Sequence, residues 1–130
     1  MTVISHITFG TNDKARSAAF YDAVLGAIGF ERLAKPAEKP LAYERDGQMP
    51  TVYIYTPADG RPATWGNGTH VAFTADHRTQ VDAFYDAAME NGGMDEGKPG
   101  LRDHYGPNYY AAYVRDPDGN KLQAVCYDSE

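Results

Sequence analysis

Ala19-Phe20-Tyr21-Asp22-Ala23 returns unchanged as Ala83-Phe84-Tyr85-Asp86-Ala87. The second copy follows the first by 64 positions in a chain of 130 residues. The same step carries His6 onto His70, Ile7 onto Val71, Phe9 onto Phe73 and Gly29 onto Gly93. An internal repeat of this kind means one structural unit written twice. Two copies of one unit pack about a pseudo-twofold axis, so His6 and His70, which open the two copies, are expected to face each other across it.

Working outward from the first copy, Val3–Phe9 is rich in β-branched residues and reads as a strand. Asn12 and Asp13 are good helix caps. Lys14–Ile28 has helical period, with Ser17, Phe20, Val24 and Ile28 on one face, and Gly29 supplies the stop. Short strands follow at Phe30–Leu33, Leu41–Arg45 and Thr51–Thr56. The second copy repeats the order: strand Thr69–Thr74, a helix capped by Asp76 and running to about Asn91, and strands Asn108–Val114 and Lys121–Tyr127. Its second strand is not distinct, and Gly97–Pro107 reads as a long irregular loop. The chain is thus α+β, with module one at 1–57, a Pro- and Gly-rich linker at 58–68, and module two at 69–130. Two β-α-β-β-β units fit either a ferredoxin-like sandwich or paired half-barrels, and periodicity does not choose between them.

Length and composition fit one globular domain, 42% hydrophobic and 23% charged. A net charge of −6 and a pI near 5.1 argue against nucleic acid, which needs clustered Lys and Arg. A lone cysteine, Cys126, excludes an intrachain disulfide and a zinc site built on several thiolates; it reads as a buried strand residue. No apolar run is long enough for a membrane span and no signal peptide is evident, so the cytoplasm is the expected location.

His6-Ile7-Thr8-Phe9, Phe20-Tyr21-Asp22-Ala23-Val24-Leu25-Gly26, His70-Val71-Ala72-Phe73 and Asp116-Pro117-Asp118-Gly119-Asn120-Lys121-Leu122-Gln123 together resemble the vicinal oxygen chelate superfamily. That superfamily includes glyoxalase I, bleomycin-resistance proteins, fosfomycin-resistance enzymes and extradiol dioxygenases. The stretch Gly100–Tyr110 is similar to a glyoxalase-like bacterial subgroup. The resemblance implies two tandem βαβββ modules forming half-barrels around a shared cavity. It implies metal ligands on the first and last strand of each module: His6, His70 and Gln123, with Tyr53 as the softer fourth match. It also implies a homodimer.

Gln123 departs from the family pattern, whose metal enzymes carry a glutamate there. Two imidazoles and an amide offer a divalent ion no negative charge. Glu44 is the carboxylate that could step in. A divalent metal (Zn, Ni, Mn or Fe), or none, is the expectation. The set of ten tyrosines suggests an aromatic-walled pocket for a small molecule. Tyr53, Tyr55, Tyr105 and Tyr110 are candidate substrate-binding residues, although alternation puts Tyr109 and Tyr113 on the opposite face from Tyr110. In the segment unique to module two, Arg102 suits a substrate carboxylate and His104 a proton transfer. No catalytic residue is assigned.

Three functions follow from the resemblance. One is a glyoxalase-like metal-dependent lyase or isomerase acting on a substrate with adjacent oxygens. The second is a metal-free ligand-binding protein of the bleomycin-resistance kind, whose acidic balance and aromatic surface suit a cationic planar ligand. The third is an extradiol-type dioxygenase using His6, His70 and a carboxylate around iron.

Overall fold

The computed structural model describes residues 2–130. Module one runs β1 (His6–Gly10), α1 (Lys14–Gly26), β2 (Phe30–Arg32), β3 (Leu41–Arg45) and β4 (Gln48–Tyr55). Module two runs β5 (His70–Thr74), α2 (Arg78–Glu90), β6 (Met94–Leu101), β7 (Tyr110–Arg115) and β8 (Lys121–Cys126). Each module folds into its own four-stranded sheet, ordered β1-β4-β3-β2 and β5-β8-β7-β6. First and last strands pair in parallel, and the remaining neighbours are antiparallel. The duplication read from the sequence is therefore a duplication of fold, α+β in class.

Register sharpens the match between halves. Thr8 pairs with Tyr53, and Ala72 pairs with Gln123. The repeat carries Thr8 onto Ala72, so Tyr53 and Gln123 occupy equivalent places.

Local chemistry sets the helix starts. The Asp13 side chain accepts the backbone N–H of Arg16 at 3.0 Å, satisfying a donor that the first turn leaves free. For α2 the cap is His77 rather than the expected Asp76. Gln80 Oε1 reaches back to the N–H groups of His77 (3.1 Å) and Asp76 (2.8 Å), so the glutamine satisfies both and Asp76 is left outside the helix.

A second correction concerns Gly97–Pro107. Its first five residues, Gly97–Leu101, belong to β6, which pairs with β7 through two register shifts. The β6 sequence MDEGKPGL holds two glycines and a proline, residues depleted from strands. Pairing with β7 overrides that preference. β1 also starts later than expected, because Val3 and Ile4 are exposed and pair with nothing.

Both modules share one core. Phe20 and Phe84, the repeated phenylalanines, are fully buried, and Phe30 meets Phe73 edge-on at 5.6 Å across the module boundary. α1 packs on α2, and no strand of one sheet runs beside a strand of the other. Phe9 and Phe73 point into this core. By alternation, His6 and Thr8 on β1, and His70 and Ala72 on β5, lie on the opposite faces of their sheets.

The turn Asp116–Asn120 fastens the halves. Asp118 accepts from Thr11 Oγ1 (2.9 Å), the Asn12 backbone (3.0 Å) and Arg16 (2.8 Å). Asn120 Nδ2 donates to Gly10 O at 3.0 Å, and the buried Tyr21 hydroxyl donates to Asp116. From the other side, Arg45 donates to Thr74 O at 2.6 Å.

Candidate functional site

Module two carries the richer face. Gln123 is buried between two partners: its Nε2 donates to the Tyr109 hydroxyl at 2.7 Å, and its Oε1 lies 3.2 Å from His70 Nε2. The amide oxygen faces the imidazole, and only a protonated Nε2 can donate to it. The His70 Nε2–H then donates to Gln123, which leaves Nδ1 as an acceptor.

A recess of about 270 Å³ opens beside His70. Arg102, His104, Tyr105, Tyr113, Glu96 and Lys121 complete its wall. Glu96 accepts from Arg115 Nε at 2.6 Å, and that contact holds its carboxyl below the usual range. Tyr113 meets His70 edge-on, with ring centres 6.2 Å apart. Burial raises the Tyr113 phenol, and the neighbouring Tyr109 adds to the rise.

Arg102, His104 and Tyr105 thus line one recess with His70, and Gln123 stands behind it, bonded to His70. Lys121 and Glu96 were missed. Lys121 pairs with His70 in the parallel ladder and stands two residues before Gln123, so strand parity alone would have put it on the same face. Tyr110 requires a correction: its hydroxyl donates to Asp82 of α2 at 2.6 Å and its ring lies under Arg78. It faces the helix, away from the recess, because it is one residue out of phase with Tyr109 and Tyr113.

Module one presents the equivalent face. His6 meets Tyr53 edge-on at 5.5 Å, and Tyr53 meets Tyr55 at 5.9 Å. Thr51, the register partner of His6, donates its hydroxyl to Glu44 at 2.6 Å. The stand-in carboxylate therefore lies near His6, not near His70.

Within one chain His6 and His70 do not share a hollow. No hydrogen bond, ring contact or strand pairing links His6 to His70 or Gln123. Both helices and the common core lie on the inner sides of the sheets, and the histidines are on the outer sides. Among the described residues, no group of three or more His, Cys, Asp and Glu side chains is placed to hold a metal ion. One chain offers two neutral donors together, His70 and Gln123, which is too few and too weakly charged for a tight divalent site.

A larger hollow, about 490 Å³, lies elsewhere, under the loop at residues 33–40. Its Lys14 ammonium is engaged by the carbonyls of Ala37 and Lys39, and it contains no histidine. Chemistry rather than volume therefore marks the recess of module two as the candidate site.

The sequence matches the Glyoxalase/Bleomycin resistance protein/Dioxygenase superfamily over residues 3–124. No curated protein matches it. A glyoxalase/bleomycin resistance protein from Albidiferax ferrireducens shares 40% identity, covers 98% of this chain and 100% of its own, and superposes with a TM-score of 0.86. A lactoylglutathione lyase from Agrobacterium tumefaciens shares the fold at 22% identity, with 97% and 94% covered and a TM-score of 0.66. So does a glyoxalase-related enzyme from Fulvimarina pelagi, at 20% identity, 97% and 88% coverage and a TM-score of 0.73. The duplicated βαβββ fold, with equivalent histidines on the first strand of each half, and a match across nearly the whole chain make this protein a member of the glyoxalase/bleomycin-resistance/dioxygenase superfamily.

Proposed function

We propose that this protein binds a small organic molecule in the recess beside His70, without requiring a metal. The observation that carries this reading is the chain Tyr109–Gln123–His70. It gives both polar atoms of a buried glutamine a hydrogen-bond partner. An amide held this way anchors His70, which lines the recess. The test is a thermal-shift screen of small molecules in the presence and absence of a chelator. Ligands that stabilise the protein equally in both support the proposal. Stabilisation that vanishes with the chelator overturns it.

The open edges of β1 and β5, each with its histidine, favour a homodimer in which β1 of one copy meets β5 of another. His6, Tyr53 and Glu44 of one chain would then stand opposite His70 and Gln123 of the next. Sedimentation at several concentrations, on the native protein and a variant with a proline at Thr8, tests this arrangement. A monomer at every concentration sinks it.

A second reading, a metal-dependent lyase or isomerase, has one observation in its favour. Two ligands bonded at ~2.1 Å at right angles on an ion lie about 3 Å apart, close to the 3.2 Å between His70 Nε2 and Gln123 Oε1. With His6 and Glu44 from a second copy, the set would contain one carboxylate. A bound metal would polarise adjacent substrate oxygens, and His70 and Gln123 would hold it. Elemental analysis of native protein separates this reading from the first.

A further inference from the structure

We propose that the recess beside His70 takes a ligand bearing a carboxylate, gripped by Arg102 and Lys121 beside Tyr113. This rests on the recess being the ligand site, and it names the chemistry the site selects.

The charge around the recess runs against that of the chain. The protein carries a net charge of −6, yet two cations converge on one ring here. Arg102 Cζ and Lys121 Nζ each lie 5.6 Å from the centre of the Tyr113 ring. Among the described residues, neither has a carboxylate within salt-bridge distance. Glu96, the acid in the wall, is taken by Arg115. Two cations without a salt-bridge partner attract an anion, not the cationic ligand that overall composition suggests.

Arg102 is held ready. Its two terminal nitrogens donate to Gly100 O (2.9 Å) and Lys98 O (2.8 Å), which fixes the guanidinium plane within the β6–β7 hairpin. Those bonds use two of its five N–H groups, and three remain to donate.

The glycines of β6 make room for this side chain. A Cβ on Gly97 would lie 3.2 Å from Nη2, and one on Gly100 would lie 3.3 Å from Nη1. Neither glycine has the positive φ that would by itself call for glycine. Their smallness serves the approach of the guanidinium. A fixed planar fork suits a carboxylate, and little ordering remains to be done on binding. The rings of Tyr105 and Tyr113 supply apolar wall for the body of the ligand.

The experiment is an amide-shift NMR titration with benzoate and with benzamide, its neutral isostere, and with inorganic phosphate. Benzoate is expected to shift Arg102, Tyr113 and Lys121 and to bind at least about tenfold more tightly than benzamide. Arg102→Met and Lys121→Met, each checked for native spectral dispersion, are expected to weaken benzoate about tenfold and to leave benzamide unchanged. Equal binding of benzoate and benzamide in the recess overturns the carboxylate inference and leaves the recess as a ligand site. Phosphate binding as tightly as benzoate overturns it as well, in favour of simple anion attraction. Shifts confined to the loop at residues 33–40, or absent from the recess with every probe, overturn both the inference and the recess reading.

Discussion

Asp118 and Arg16 meet at 2.8 Å across the module boundary, with the aspartate side chain 1% exposed and the arginine 46% exposed. The asymmetry shows which partner matters. The exposed arginine adds at most about 1 kcal/mol. The buried carboxylate also accepts from Thr11 Oγ1, Ser17 Oγ and the Asn12 backbone. Removing it strands buried donors, each costing about 1–3 kcal/mol. Asp118→Ala is expected to destabilise the fold by about 3 kcal/mol in urea denaturation, and Arg16→Ala by less than about 1 kcal/mol. Equal effects would mean that the turn is not the fastening between modules.

The buried phenols set an upper pH limit. Tyr21 is raised by burial first and then by Asp116, and Tyr43 by burial first and then by its bond to Asp22. Tyr110 is pushed up to about 12, chiefly by its hydrogen bond to Asp82. Each folded value lies above the unfolded value near 10. The folded state therefore holds these protons more tightly, so their contribution is complete below pH ~10 and is lost as pH rises through the folded values. Stability should hold to pH ~10 and fall beyond it. Tyrosinate absorbance from the buried rings should appear only as circular dichroism is lost. In Tyr110→Phe the decline between pH 10 and 12 is expected to be shallower. Titration of all ten tyrosines near pH 10 with the fold intact would refute this account.

Gln123 tests the two functional readings against each other. Replacing it with glutamate adds the negative charge that the donor set lacks, beside His70 at 3.2 Å. Gln123→Glu is expected to bind zinc at least about tenfold more tightly than the native protein, by calorimetry. If the native protein already binds zinc as tightly as the variant, the metal-free reading fails.

The sequence disclosed the fold because the repeat is literal. His6 and His70, and Phe20 and Phe84, occupy the places that the 64-residue step implies, and past the longer β6–β7 segment the step becomes 70, as Tyr53 and Gln123 show. The site was half legible. Strand alternation set Tyr109 and Tyr113 apart from Tyr110, but it did not say which face Gln123 shares, and Tyr110 was the one named for the pocket. The arrangement of the two sheets around one core was not legible, because no local pattern says whether helices or strands form the module boundary. That tertiary choice is what separates His6 from His70. β6 was missed for another reason. Its glycines were read as loop residues, but they serve the seating of Arg102 and the approach of Tyr113.

Gly97→Ala tests that seating without replacing either cation. The added methyl would lie 3.0 Å from Tyr113 Cδ1 and 3.2 Å from Arg102 Nη2. Both atoms belong to side chains that can give way, so the backbone need not move. The ring and the guanidinium must then shift by a few tenths of an ångström, and the grip on a carboxylate loosens. Removal of a glycine also lowers the entropy of the unfolded chain, which offsets part of the crowding cost. The variant is therefore expected to melt within a few degrees of the native protein and to bind benzoate several-fold more weakly, with benzamide unaffected. Benzoate affinity unchanged in a well-folded Gly97→Ala would show that the position of Arg102 does not depend on the space that Gly97 leaves.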